Sequence, residues 1–193
     1  MSKQGRIIVE QMHRMPGKTP DVPLAEGVDI EKLTQADVEA GREPFFITLP
    51  LGERDQQSNN GRHYLGDVAI NAIYKAIMSD KIGGNQGHTP ESERGTHFSV
   101  PVLHWVGALI QDSIVWGKAY VPGDSERMRE MRGFYRRQEA TQGRVGTSLE
   151  GWGIQTYNAD KELWDISELD VTRIDAVEAL GVGIVGLNAP PFE

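Results

Sequence analysis

The apolar residues of this chain fall in short runs cut by glycine, proline and polar stretches, and few segments repeat at the period of a helix. That punctuation limits the fold more than any other feature, because a doubly wound parallel sheet needs a helix after nearly every strand. "PFFITLPLG" sets Phe45, Phe46, Ile47, Leu49 and Leu51 in one β-prone run, read as the first strand of a core. Residues 65–78 place Leu65, Val68, Ala69, Ala72, Ile73, Ala76 and Ile77 on one face, which predicts a helix. "HFSVPVLHWVG" then alternates Phe98, Val100, Val102, His104 and Val106 on one side, and "SIVWGKAYV" is its expected antiparallel neighbour across "QDS". A second helix is predicted in "GDSERMREMRGFYRRQEATQG", with Asp124 or Ser125 as N-cap and Met128, Met131 and Tyr135 along one face. A strand around Ser148 follows it. Beyond that, Leu163, Trp164 and Ile166, then Val171 and Ile174, predict two further strands. The pattern favours an α+β or barrel architecture.

At 193 residues the chain is long enough for one good core and too short for two large domains. A hydrophobic share of 38% against 25% charged is slightly polar for a globule, which points to a loosely attached segment. Residues 1–43 are read as that arm, with a brief helix in "DIEKLTQADVEAG" carrying a thin stripe of Ile30, Leu33 and Val38, and 44–193 as the domain proper. The net charge of −8 argues against a surface that tracks nucleic-acid phosphates. Cysteine is absent, so disulfides, thiolate metal sites and cysteine nucleophiles are excluded. No apolar run approaches the roughly 20 residues that cross a bilayer, so no membrane partner is expected, and "MSKQGRIIVEQMHRMPGK" lacks the apolar centre of a signal peptide.

The segment "GRVGTSLEGWG" stands out because a strand built for packing would not surround a serine with glycine. Flanking Gly146 and Gly151 would let a peptide backbone approach Ser148, whose hydroxyl becomes a nucleophile once a base takes its proton. The competing reading is an ordinary strand serine beside glycines that form a bulge. Among the histidines, His13 lies in the arm, His63 reads as a solvated loop residue, His97 opens a strand without distinctive neighbours, and His104 packs inside or borders the core. His88, in "QGHTPES", sits on a glycine-flanked loop where an imidazole can project into a cleft and shuttle protons near neutral pH. Asp175 stands between Ile174 and Val177, where a buried carboxylate needs a hydrogen-bond donor; a histidine N–H would serve, and Arg173 equally as a plain ion pair. His97 and His104 point to opposite faces of their strand, and neither HExxH nor a phosphate loop occurs, so no metal or other cofactor is expected.

Taken together, these segments resemble the tailed-phage prohead (capsid maturation) proteases, a serine-protease family distantly related to the herpesvirus assemblins. "SNNGRHYLGDVAINAIYKAI" is similar to the family's Asn-Gly-Arg-x-Tyr lead into its first helix, "GHTPES" to its histidine segment, "VLHWVGALIQDSIVWGKAYV" to its following hairpin, "RVGTSLEGWG" to its Val-Gly-x-Ser-x-x-Gly-x-Gly nucleophile segment, and "RIDAVEAL" to its Asp-x-Val strand. The resemblance implies a small, mostly antiparallel β-barrel with helices packed around it. It implies a catalytic triad of His88, Ser148 and Asp175, with His104 as an alternative third member. The implied substrates are phage scaffold and capsid-protein segments, and the protease itself, inside the assembling prohead in the host cytoplasm. A homodimer is allowed. An arginine often found after the family's nucleophile is replaced here by Leu149 and Glu150, leaving Arg144 or Arg173 to compensate. The alternative is an idle protease-like barrel that serves as a head scaffold or structural protein.

Overall fold

The computed structural model describes residues 2–59, 61–85, 87 and 101–177. In chain order the elements are β1 (Ser2–Arg14), α1 (Ile30–Glu39), β2 (Phe45–Glu53), β3 (Gln56–Gln57), β4 (His63–Leu65), α2 (Asp67–Lys75), β5 (Gly83–Gly84), β6 (Leu103–Gln111), β7 (Ile114–Val121), α3 (Glu126–Thr141), β8 (Arg144–Asn158) and β9 (Leu163–Val177). The strands form two sheets, of order β1-β8-β9-β4-β3 and β2-β7-β6-β5, so the molecule is α+β. Among the described residues every strand pairing is antiparallel except that of β4 with β9.

Ser2–Arg14, expected to belong to a loosely attached arm, instead pairs with β8 over its whole length. Its odd positions explain why. Ile7 and Val9 are completely or almost completely buried among Leu49, Leu149 and Ile174, so β1 contributes to the core. Val22 and Ala25 are buried too, and the Ala25 N–H donates to the Val106 carbonyl at 2.8 Å, securing the next stretch against β6.

The brief helix appears as α1, with Asp29 accepting the Lys32 N–H at 3.1 Å as its N-cap. Its expected apolar stripe does not dock it, since Val38 is 60% exposed. The buried positions are Thr34 and Asp37. In α2, Ala69, Ile70 and Ile73 turn inward, continued by Ala76 and Ile77 in the π-helical turn Ala76–Asp80. Those five occupy one contiguous arc at about 100° per residue, and Val68 lies outside it. Val68 is accordingly exposed, against expectation.

The hairpin of β6 and β7 turns at Asp112 and Ser113, both with positive φ, as a two-residue loop between twisted strands requires. Ser125 caps α3 by accepting the Met128 N–H, and Met128, Met131 and Tyr135 face inward as predicted. The two strands expected after β8 are one. Ladder pairing skips Thr172 and Ser167, and each hydroxyl donates to a β8 carbonyl, Glu150 and Ile154 respectively, at 3.0 Å. These bulges bend β9 without ending it.

The two sheets meet at residues 83–85 and 87. Gly84 pairs with Leu103 of the second sheet, while Ala176 of the first donates its N–H to the Asn85 carbonyl and accepts the Gly87 N–H, both at 2.8 Å. Trp105 ties the same seam from within, its indole N–H donating to the Ile174 carbonyl at 3.0 Å.

Candidate active site

Strand β8 lies between β1 and β9, and the ladder sets Glu10, Ser148 and Asp175 directly opposite one another in a single row. Opposed residues of antiparallel strands project to the same face, with Cβ atoms about 4.5–5.5 Å apart. The adjacent residues Val9, Leu149 and Ile174 form the corresponding row on the other face, within the apolar core. One face of this sheet therefore packs the core, and the other carries the polar residues Glu10, Ser148 and Asp175. Ser148 and Asp175 are completely buried and Glu10 nearly so.

The next row on the polar face holds Ile8, Glu150 and Arg173. Glu150 receives Arg6 Nε at 2.6 Å and Arg173 Nη2 at 2.7 Å, and Arg173 Nε reaches Asp175 Oδ2 at 3.1 Å. Asp175 Oδ1 accepts the backbone N–H of Asn85 at 2.8 Å. Burial would be costly for a lone carboxylate, and the Asn85 N–H together with the nearby Arg173 charge offsets that cost. Arg173, one of two arginines considered as a replacement for the family's missing one, is thus engaged by Glu150 and Asp175.

Of the residues predicted from sequence, Ser148 and Asp175 are brought together, and His88 and His97 lie outside the described residues. Gly87, the residue before His88, is hydrogen-bonded to Ala176, the residue after Asp175. His104 sits in β6 with its ring 6.2 Å from that of Tyr120, whereas the cross-strand neighbours of Ser148 are Glu10 and Asp175. His63 is not a solvated loop residue. It opens β4, is 5% exposed, and its Nε2 lies 2.9 Å from Gln155 Oε1; burial lowers its pKa against the opposing effect of that hydrogen bond. His13 belongs to β1, where burial pulls its pKa down to about 4.

Gly151 has a use inside the sheet. A Cβ there would come within 2.3 Å of the Asp170 carbonyl oxygen, because the β9 backbone crosses closely at the bulge. The room at Gly151 is therefore taken by a neighbouring strand; the extra residue of the bulge is Thr172 on β9, and not a glycine beside Ser148. Glu10 was missed by the sequence reading, although "RIIVEQM" already alternates Ile7 and Val9 with Arg6, Ile8 and Glu10. Among the described residues no group of three His, Asp or Glu side chains is arranged to hold a metal ion.

Sequence comparison matches no known protein family and no curated protein. Comparison of structures does find a likeness. The bacteriophage T4 capsid assembly protease, gp21, superimposes with a TM-score of 0.58 at 13% sequence identity, covering 91% of this chain and 98% of that one. At that identity the likeness establishes a shared fold.

Proposed function

We propose that this chain is a serine endopeptidase of phage head maturation, cleaving scaffold and capsid-protein segments, and itself, inside the assembling prohead. In this reading the two sheets make a small, mostly antiparallel barrel. Ser148 Oγ attacks the scissile carbonyl while His88 takes its proton and later returns it to the leaving amine; Asp175 orients the imidazole. Water then releases the acyl group from Ser148 by the same proton transfers.

The observation that carries the proposal is the opposition of Ser148 and Asp175 on adjacent strands. Support comes from Gly87, whose bond to Ala176 anchors the chain one residue before His88 beside the candidate acid. The shared fold with a capsid assembly protease agrees with both. A second reading, the idle structural barrel, draws on the hydrogen bond of Asp175 with the Asn85 N–H and its ion pair with Arg173, contacts of the kind a structural carboxylate makes.

Incubation with a serine-reactive fluorophosphonate, followed by intact mass measurement, separates the two. An activated serine displaces fluoride from phosphorus and gains one adduct per chain, absent from Ser148→Ala. A wild-type chain that gains no adduct supports the idle barrel. Labelling should also rise with pH through the imidazole's range near ~6.5.

A further inference from the structure

We propose that Arg173 is a positioning residue of this site: its guanidinium, itself fixed by Glu150, sets the rotation of the Asp175 carboxylate beside Ser148. This rests on the reading of Ser148 as the nucleophile and Asp175 as the acid that orients its base.

Asp175 is held at both of its oxygens, by different elements. Oδ1 accepts the Asn85 N–H at 2.8 Å, just after β5, and Oδ2 lies 3.1 Å from Arg173 Nε, two residues back along β9. The torsion that turns a carboxylate is broad, so one contact leaves it free to rotate. A second contact on the other oxygen fixes it. A carboxylate offers about four lone-pair sites, so these two contacts are compatible with an imidazole N–H as a further partner. Arg173 is held in turn. Its Nη2 lies 2.7 Å from Glu150 Oε2 on β8, and Glu150 Oε1 lies 2.6 Å from Arg6 Nε on β1. A guanidinium is rigid and planar, so anchoring two of its nitrogens on two carboxylates fixes its plane; a lysine ammonium, one point charge on a flexible stem, does not reproduce this.

The place of each contact in the sheet separates cohesion from positioning. The pairs Arg6–Glu150 and Glu150–Arg173 each join two strands, and either one ties the sheet together. The pair Arg173–Asp175 lies within β9 and joins nothing that the chain has not already joined. Its effect falls on the carboxylate itself. Arg6, Glu150, Arg173 and Asp175 alternate in sign across β1, β8 and β9, and their side chains are at most 23% exposed, so their attraction is screened less than that of pairs on an open surface. Through this ladder β1, the strand that opens the chain, helps to hold the acid that stands opposite Ser148.

The test measures the rate of fluorophosphonate adduct formation for the full-length wild type and for Arg173→Ala, Arg173→Lys, Asp175→Asn and Ser148→Ala, with a thermal melt of each. Arg173→Ala is also assayed in millimolar guanidinium chloride, far below the molar range that unfolds proteins. It should label about 10- to 100-fold more slowly than wild type, the loss a misplaced group brings, and regain several-fold with free guanidinium, which leaves the wild-type rate unchanged. Arg173→Lys keeps the charge without the two-point hold and should fall between the two. That variant also serves if Arg173→Ala melts too early to assay, since a folded Arg173→Lys at the wild-type rate overturns the proposal by making charge alone sufficient. A purely structural Arg173 would alter the melt and leave labelling of the folded variants within about twofold of wild type; with Asp175→Asn slow, that result overturns the proposal while Asp175 keeps its role. A slow Arg173→Ala that guanidinium does not restore counts against it too, because a free cation does not repair damaged packing. Asp175→Asn at the wild-type rate removes the acid and this inference together, and wild type without adduct removes the nucleophile reading as well.

Discussion

His13 shows how a single buried imidazole can make a fold acid-sensitive. Its folded-state pKa of about 4 lies below the ordinary 6.5, so as pH falls the unfolded chain takes up the proton first. Stability is therefore undiminished above about 6.5 and is lost progressively as pH falls from there toward 4. Burial lowers the pKa of His63 as well, which adds to the loss in the same direction. Between pH 7 and 5 the loss from His13 amounts to about 1–2 kcal/mol. Replacing His13 with Gln should flatten this dependence, read as a smaller drop in urea midpoint between the two pH values; an equal drop in variant and wild type would exclude His13 as a source. Ser148 and Asp175 could be named as candidates from short local motifs, and the structure sets them opposite each other on adjacent strands. Glu10, His13 and His63 were not legible in the same way. Their burial comes from pairing with β8 or its residues over 90 or more positions away, as in the His63 to Gln155 bond, and no local pattern reports such a partner.

At the level of elements, caps and turns were readable and docking was not. Ser125 and the Asp112-Ser113 turn follow from backbone chemistry confined to a few residues. The docking of α1 depends on a charge that any sequence reading assigns to solvent. Asp37 is buried, accepts the Tyr120 hydroxyl at 2.6 Å and Arg42 Nε at 2.8 Å, and pairs with the buried Arg132 of α3. Burial alone would raise its pKa, but those hydrogen bonds and the Arg132 charge outweigh it and hold the carboxyl below its usual value. On the other side of the contact, burial and the Asp37 carboxylate push the Tyr120 phenol up to about 12. Asp37→Ala leaves the Arg132 guanidinium buried without its counter-charge, and should cost about 3–5 kcal/mol in urea unfolding. Tyr120→Phe removes a single hydrogen bond and should cost about 1–2 kcal/mol. If both substitutions cost the same small amount, Asp37 is not what docks the helix.

For the whole molecule, the decisive contact is the seam where the two sheets meet, and its most sensitive point is Gly84. A Cβ at this position would stand 1.9 Å from the Ile174 carbonyl oxygen and 3.3 Å from the Trp105 indole nitrogen. The nearer obstacle is ladder-paired backbone of β9, and it cannot rotate aside as a side chain would. Short apolar runs were enough to read two helices among several strands, and so an α+β fold, but a glycine in a polar stretch carries no sign that two sheets converge on it. Gly84→Ala must push Gly84 and Asn85 away from β9, and that movement strains the Asn85 N–H bond to Asp175 and the Gly87 bond to Ala176 together. The expected result is a loss of more than about 3 kcal/mol in urea unfolding, in the range of substitutions that force a backbone shift in a packed core. Gly5→Ala, with no atom within 4 Å of the added carbon, should stay within about 0.5 kcal/mol of wild type. Because the displaced segment leads directly into His88, Gly84→Ala should also label more slowly with fluorophosphonate than Gly5→Ala under conditions where both remain folded. Equal labelling rates in the two folded variants would separate the seam from the chemistry and leave it a purely structural junction.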